Sequence, residues 1–327
     1  MPLTYLITGA SGFAARHLVA ALAGEGERAG SEAAAPRIVG IGLGPLAPAA
    51  ARLVEYHEGE ITDWDFVREV VGAARPDRVL HLAALTFGRP ENPVDQRFLD
   101  VNVQGTRLVC EALVAAGLRP RLLVTSSSGV YGAAGEDPIT EAAPLRPQTL
   151  YAASKACQEL VALAYHHAHG IEVVVTRAFN HTGPGEHPHF AASTFARQIA
   201  AAEAGRAEPA VRVGNLDAFR DFTDVRDVAR GYLAALGGGE PGTAYNVCSG
   251  VARRVGDILD ILLGLARVPV RVERDPARLA PADVPYQRGS HDRLTAATGW
   301  EPRIPLATTL SDLLDYWRER TAAATAG

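Results

Sequence analysis

The chain has 327 residues, of which 47% are hydrophobic, so it is long and apolar enough to bury a large core as one α/β unit or as two lobes. Its net charge of -5 at pH 7 offers no cationic surface for nucleic acid, and no apolar run reaches the roughly 20 residues of a membrane-spanning helix. The first residues carry no basic segment, and three widely spaced cysteines make no disulfide framework, so we expect a cytoplasmic protein with no nucleic-acid or membrane partner.

Apolar strand-like runs alternate with helical stretches through the first half of the chain. A helix is predicted at 12–24 and a polar loop of small residues at 25–36. Strands are predicted at 3–8, 37–42, 78–83, 121–126 and 171–179. Their nearly continuous apolar character is typical of parallel strands covered on both faces. The pattern therefore predicts an α/β fold with a Rossmann-type doubly wound parallel sheet.

Beyond about residue 180 the alternation breaks up, which predicts a smaller, discontinuous C-terminal lobe. The segment 245–250 reads as a strand that returns to the main sheet. Helices are predicted at 190–205, 255–266 and 306–320. We therefore assign 1–180 and 220–250 to a dinucleotide-binding domain, and 181–219 and 251–327 to a lobe that binds the substrate.

The stretch "TGASGFA" follows the first predicted strand and opens the first helix, which spaces its small residues as Gly9-x-x-Gly12-x-x-Ala15. Glycines at such a turn let the backbone approach a pyrophosphate, and the N-terminus of the helix supplies N–H donors. A plain tight turn would also explain a glycine pair. The position directly after the first strand favours a phosphate-binding turn.

Tyr151 and Lys155, in "YAASK", are spaced one helical turn apart on the same face. Lys155 is the only lysine of the chain, although the sequence carries 32 lysines and arginines in total. A nearby ammonium group would lower the pKa of the phenol and let it exchange a proton. The alternative is that Lys155 is a solvated charge on a helix surface. Because every other long cation of the chain is an arginine, a lysine at a position without a function is not expected.

Several further stretches complete a pattern that covers nearly the whole chain: "HLAA" (81–84), "DVNVQGT" (100–106), "SSSGVYG" (126–132), "RAFNHTGPGE" (177–186), "RDFTDVRDVARGY" (220–232), "YNVCSG" (245–250) and "RGSH" (288–291). Together with the glycine turn and "YAASK", they resemble the extended short-chain dehydrogenase/reductase family. Within that family the likeness is greatest to enzymes that reduce GDP-4-keto-6-deoxy-mannose. The resemblance implies a nucleotide-sugar substrate and a homodimer formed through the helices near 92–117 and 151–168.

The resemblance also implies a role for each matching residue. Tyr151 would give a proton to the carbonyl oxygen, Lys155 would tune the phenol and bind a ribose, and Ser127 would hydrogen-bond the reacting oxygen. The cofactor would contact Gly9, Ser11, Gly12, Phe13, Ala14, Glu60, Ile61, Leu82, Ala83, Ala84, Asn102, Thr125, Tyr151, Lys155 and Phe179. The substrate would contact Thr86, Ser127, Ser128, Asn180, Arg197, Arg220 and Arg288, in which arginines suit a diphosphate.

Two positions of the stretch 126–132, which we call the serine loop, restrict which reaction of the family this chain can perform. Dehydratases of the family carry acidic residues there, whereas this chain has Ser128 and Gly129. Hydride transfer without elimination remains, either as a 4-ketoreductase or as a 4-epimerase that retains NAD. A non-catalytic dinucleotide-binding regulator is a third reading, which the Tyr151–Lys155 pair disfavours. The resemblance favours reduction of a GDP-sugar, with a dTDP-sugar as the open alternative.

The second predicted strand ends in "GIGLGPL", without the acid that would hold a ribose 2′-hydroxyl and exclude NADP. The nearest cation, Arg52, lies beyond a proline-interrupted loop. We therefore expect NADPH as the favoured cofactor and NADH as a possible one. His166 and His169 lie at a predicted helix end, without a carboxylate or cysteine at metal-binding spacing, so no metal is expected.

Overall fold

The computed structural model describes residues 2–28, 35–86, 95–278 and 284–323. Its strands are β1 (Thr4–Thr8), β2 (Arg37–Gly42), β3 (Glu55–Glu58), β4 (Arg78–His81), β5 (Arg121–Ser127), β6 (Glu172–Ala178), β7 (Asn180–Thr182), β8 (Ala210–Val213), β9 (Phe219–Asp224), β10 (Ala244–Val247), β11 (Ala252–Arg254) and β12 (Arg271–Arg274). Its α-helices are α1 (Phe13–Arg28), α2 (Trp64–Ala74), α3 (Gly105–Ala115), α4 (Leu150–His169), α5 (Ala191–Glu203), α6 (Val225–Gly238), α7 (Val255–Gly264), α8 (Asp292–Thr298) and α9 (Leu306–Ala323).

Seven parallel strands form the main sheet, in the order β10-β6-β5-β4-β1-β2-β3. The chain runs outward from β1 to β3 in one direction, then continues from β4 in the other. Ligands of such sheets bind at the carboxyl ends of the strands, where the direction of winding changes. In this chain that point lies between β1 and β4. The Rossmann-type fold predicted from the sequence is confirmed.

Both faces of the sheet are covered, which explains why its strands are apolar at successive positions. Leu6 of β1 packs into the core that α2, α3 and α4 form with one face. Ile7, the next residue, packs into the core that α1 and α6 form with the other face. Because successive side chains of a strand point to opposite faces, a strand that is covered on both faces is apolar at most of its positions.

In the N-terminal part of the main sheet, the structure adds to the predicted elements at two places. α1 continues through Arg28, so the start of the loop predicted at 25–36 is helical, while 29–34 lie outside the described residues. Good helix formers around the glycines continue the helix by one turn. The edge strand β3, with the sequence "EYHE", was not predicted, since a half-solvated strand of polar residues lacks the apolar run used to find the others.

A second, smaller core lies in the C-terminal part of the chain. Helices α5, α7 and α9 pack around the two-stranded sheet of β8 and β12, with Phe195, Ile258 and Leu310 at its centre. α8 also falls within the range 251–327 that we assigned to the substrate lobe. However, Leu294 of this helix and Trp300, which follows it, pack into the core that α1 and α6 form with the main sheet. The domain boundaries drawn from the sequence therefore remain a prediction.

Among the described residues, no helix combines the length and the apolar character needed to cross a membrane.

Candidate active site

A cavity of about 710 Å³ opens between the carboxyl ends of the main-sheet strands and the residues of the smaller core. The predicted site residues that line it are Gly9, Gly12, Phe13, Ala14, Leu82, Ala84, Thr86, Thr125, Ser127, Ser128, Tyr151, Lys155, Phe179, Asn180 and Arg220. Most of them come from the ends of β1, β4, β5 and β6 and from the N-terminal turns of α1 and α4, while Asn180 lies on β7 and Arg220 on β9. The fold thus brings together most of the residues named from the sequence.

The turn after β1 requires glycine. Gly9 has a φ of 71°, and a Cβ added to it would lie 2.8 Å from the amide nitrogen of Ala83. Any side chain would therefore push the turn away from the end of β4. The amide of Gly12 donates to the carbonyl of Gly9 at 2.9 Å, which closes the turn at the N-terminus of α1. This close approach and the helix terminus beside it fit a dinucleotide diphosphate.

The serine loop begins at the last residue of β5. The hydroxyl of Ser127 accepts a hydrogen bond from the amide of Gly129 at 3.1 Å, which starts a short 3-10 helix. The hydroxyl of Ser128 donates to the side chain of Gln287 at 3.1 Å, and this bond ties the loop to the C-terminal segment. Both Ser127 and Ser128 line the cavity, and Ser128 also connects the loop to the C-terminal segment.

Tyr151 lies in the first turn of α4, which Thr149 caps by accepting the amide of Ala152 at 3.1 Å. Burial raises the pKa of the Tyr151 phenol, and a hydrogen bond with Ser127 opposes part of that shift. This corrects the expectation that Lys155 lowers the pKa of the phenol. The cause is the loss of water around the ring, while the ammonium group bonds elsewhere.

Lys155 is 2% exposed, so it is not a solvated surface charge. Its Nζ donates to Oε1 of Gln158 at 2.6 Å, one turn further along α4. Burial lowers the pKa of Lys155 to about 7, and the charge of Glu159 opposes part of that shift. The lone lysine is therefore a buried amine that can change its charge near neutral pH, a property that arginine lacks.

A buried ion pair behind the cavity was not predicted. Arg177 of β6 donates to both carboxylate oxygens of Glu159, at 2.7 to 3.2 Å, and also to the hydroxyl of Tyr131 at 3.1 Å. Ser126 donates to the same carboxylate. These bonds connect the ends of β5 and β6 to α4. An arginine inside the apolar strand "EVVVTRAF" was the available signal, since a charge there must find a buried partner.

Some residues assigned to the cofactor lie behind the cavity or beyond it. Asn102 is fully buried, where it accepts the amide of Leu85 at 2.7 Å and donates to its carbonyl at 3.1 Å, so it positions the segment that carries Thr86. Ser11 donates to the carbonyl of Leu43 at 2.8 Å, near the end of β2. Ala83, Glu60 and Ile61 also lie outside the lining.

Two of the arginines assigned to the substrate do not reach the cavity. Arg197 is exposed on the outer side of α5, and Arg288 donates to the carbonyl of Glu136 at 3.5 Å. Arg212 and Arg278 line the cavity with Arg220 instead. No local sequence pattern marks these two, because the pairing of β8 with β12 brings them together across a long separation.

Comparison with known proteins points to one family. A family model described as the NAD dependent epimerase/dehydratase family matches residues 5–248. The GDP-6-deoxy-D-mannose reductase of Pseudomonas aeruginosa is 38% identical over 247 residues, which cover 75% of this chain and 81% of that protein. A dTDP-glucose 4,6-dehydratase of Actinoplanes sp. is 29% identical over 328 residues, covering 96% of this chain and 97% of that protein.

The fold comparison agrees with the sequence comparison. The structure of RMD from Pseudomonas aeruginosa complexed with NADPH superposes with a TM-score of 0.83 and 34% identity, covering 97% of this chain and 99% of that one. The resemblance drawn from the motifs is confirmed by this agreement. From its parallel sheet, its glycine turn and the extent of these matches, the chain belongs to the NAD dependent epimerase/dehydratase family, within the extended short-chain dehydrogenases/reductases.

Proposed function

We propose that the protein is an NADPH-dependent reductase of the C4 keto group of GDP-4-keto-6-deoxy-mannose. The observation that carries the proposal is the convergence of Ser127, Tyr151 and the buried Lys155 on one cavity with the glycine turn of β1. The 38% identity to a GDP-6-deoxy-D-mannose reductase and the NADPH-bound structural relative support both the substrate and the cofactor. NADH is a possible second cofactor.

Each polar group of the site has a distinct task in this proposal. Bound NADPH would supply a hydride to the carbonyl carbon. Tyr151 stays protonated because burial raises the pKa of its phenol, so its O–H can donate to the carbonyl oxygen and then transfer the proton. Ser127 would offer a second hydrogen bond to the same oxygen, and Lys155, whose Nζ donates to Gln158 in this structure, would bind the cofactor ribose in its charged form.

The arginines of the cavity suit a diphosphate. Arg212, Arg220 and Arg278 line the cavity, as do Asn180 and Thr86. Guanidinium groups bind phosphate oxygens through paired N–H donors, which also restricts the orientation of the sugar. We propose that these arginines hold the substrate diphosphate while the sugar extends toward Tyr151.

Elimination is disfavoured by the groups in the serine loop. Where a dehydratase needs an acid, Ser128 is engaged with Gln287 and Gly129 has no side chain. Neither position can remove a proton from carbon at neutral pH. The proposal is therefore restricted to reduction, with epimerisation as the outcome to be separated by assay.

The direct test is NADPH oxidation by the purified protein, followed by absorbance, with GDP-4-keto-6-deoxy-mannose and with the dTDP-4-keto-6-deoxyglucose counterpart. We expect one NADPH oxidised for each GDP-sugar reduced and slower oxidation with the dTDP-sugar. Oxidation only with the dTDP-sugar would refute the choice of nucleotide. Protein that purifies with bound NAD and oxidises neither substrate would support an epimerase instead.

The Gln158→Glu variant tests whether the state of Lys155 controls turnover. A carboxylate next to the ammonium group favours the charged lysine, so the pKa of Lys155 should rise from about 7 by one unit or more. Activity that needs the ammonium is present below that pKa and is lost above it. The alkaline limb of the kcat/KM profile should therefore move to higher pH. His169→Gln, an exposed change at the last turn of the same helix, is the control, and an unmoved limb would contradict the prediction.

Two further expectations remain predictions. The homodimer through 92–117 and 151–168 is supported by the exposed side chains of Cys157 and Leu160 on α4, the latter 62% exposed, while 92–94 lie outside the described residues. The cytoplasmic location rests on the sequence alone. A measurement of molar mass in solution decides the first.

A further inference from the structure

Glu186 is a carboxyl group in the cavity that the proposed reaction leaves without a role. It is 6% exposed and lines the cavity, where it is the only aspartate or glutamate among the described lining residues. A buried acid is unexpected in a cavity that we propose to bind phosphates, because an ionised carboxylate repels them.

The bonds around Glu186 do not compensate a negative charge. The hydroxyl of Thr182 donates to its Oε2 at 2.7 Å, and no arginine or lysine of the described residues contributes to its ionisation. Burial raises the pKa of Glu186 to about 8, and the bonds from Thr182 and from the backbone of Ser193 oppose part of that shift. The carboxyl is therefore protonated through most of the neutral range and carries an O–H donor.

The segment before Glu186 rests on the first turn of α1. The Nε2–H of His17 donates to the carbonyl of Pro184 at 2.9 Å, and a Cβ added at Gly185 would lie 2.3 Å from Nη1 of Arg16. The ring of Phe13 stacks on His181 with centroids 5.9 Å apart and an angle of 8°. Glu186 thus follows directly on a segment that packs against the N-terminal part of α1, and it lines the same cavity as Gly9 and Gly12.

We propose that Glu186 binds the dinucleotide in its protonated form, by donating a hydrogen bond to a phosphate oxygen of the diphosphate held at the N-terminus of α1. This inference rests on the proposed function in taking the ligand to be a dinucleotide. An O–H donor to an anionic oxygen forms a short, charge-assisted bond, whereas the ionised carboxylate would repel the same oxygen. Binding of the dinucleotide therefore depends on the protonation of one buried acid.

Other titratable and charged groups surround Glu186 and must be separated from it. They are Arg16 and His17 on α1, His181 on β7, His187 and His189 in the following loop, and Asp224 with Arg226 where β9 meets α6. Burial lowers the pKa values of His17, His181 and His187, so these imidazoles are neutral at alkaline pH and keep a constant charge there. Lys155 titrates in the wild-type protein and in every variant tested below, so its effect on the Kd is the same in each and cancels when they are compared.

The test is the Kd of NADPH, measured by ligand fluorescence for the wild-type protein and for Glu186→Gln at about pH 7 and about pH 9. The ligand binds the protonated form, so affinity is retained below the carboxyl pKa of about 8 and is lost above it. The wild-type Kd should therefore rise about tenfold more between these pH values than the Kd of Glu186→Gln, whose amide is a permanent neutral donor. Equal rises in the two proteins would overturn the proposal.

Two more arms make the result specific. Thr182→Val removes the hydroxyl that favours the ionised acid, so the affinity loss should move to higher pH, and an unchanged or lower midpoint would count against the proposal. GDP, as a probe of the substrate diphosphate, should bind both proteins with the same pH dependence. A difference confined to GDP would overturn the assignment to the dinucleotide. Failure of NADPH to bind at either pH would overturn the proposed function. A protein that binds NADPH but shows no turnover would still allow the role of Glu186 to be tested through the Kd of NADPH.

Discussion

Replacing Lys155 with arginine is expected to abolish turnover while the protein remains folded. The wild-type amine is 2% exposed, and the pKa of Lys155 lies at about 7, so it can share in proton movement at neutral pH. Arginine has a pKa far too high for that role, and its planar guanidinium is larger than the compact ammonium that donates to Gln158 at 2.6 Å. Loss of a positioned acid–base group predicts a fall in kcat/KM of about a thousand-fold.

The control for this variant is His169→Arg, which adds an arginine at the exposed last turn of the same helix. It should leave kcat/KM close to the wild-type value. Lys155→Met, which keeps the length of the side chain without its charge, should be inactive as well and covers the case in which arginine prevents folding. Turnover near the wild-type rate in Lys155→Arg would refute the interpretation of the lone lysine.

Replacing Tyr151 with phenylalanine should remove the proton donor and little else. The phenol hydroxyl has Ser127 as its hydrogen-bond partner in the cavity, so its loss leaves the walls of the site unchanged. We expect kcat to fall by about a thousand-fold with KM changed only a few-fold, because the interaction matters mainly in the transition state. Steady-state kinetics with the GDP-sugar and direct titration of NADPH binding measure the two effects separately.

Tyr131→Phe is the matched control, since it deletes a buried phenol hydroxyl outside the cavity. That hydroxyl donates to Asn246 at 2.7 Å and accepts from Arg177 at 3.1 Å. Its loss should lower the free energy of unfolding by about 1–3 kcal/mol and keep most of the activity. If Tyr151→Phe lost stability and kept its kcat, while Tyr131→Phe did the reverse, the roles assigned to the two tyrosines would be wrong.

Much of the fold was predictable from local patterns. Apolar runs identified β1, β2, β4, β5 and β6, because strands buried on both faces leave a continuous apolar signature. The polar edge strand β3 left no such signature and was missed. The turn at Gly9 was predictable for a similar reason, since its requirement for a positive φ acts on one residue and its neighbours.

The candidate site was likewise predictable from the sequence only in part. The identities of Tyr151 and Lys155 and their spacing of one turn are properties of the sequence, and so is the absence of an acid at Ser128 and Gly129. The direction of the Tyr151 pKa shift was not, because it depends on how much water the folded chain removes from the phenol. The prediction from spacing alone had the wrong sign.

What the sequence determined by itself was the α/β order, the glycine turn and the type of acid–base pair, all of which depend on interactions between near neighbours. The tertiary structure alone decided that Arg212 and Arg278 face the cavity while Arg197 and Arg288 do not, and that Glu186 is a buried acid. Convergence of distant segments and the desolvation that follows are non-local, so they set charge states and contacts that no short stretch of sequence encodes.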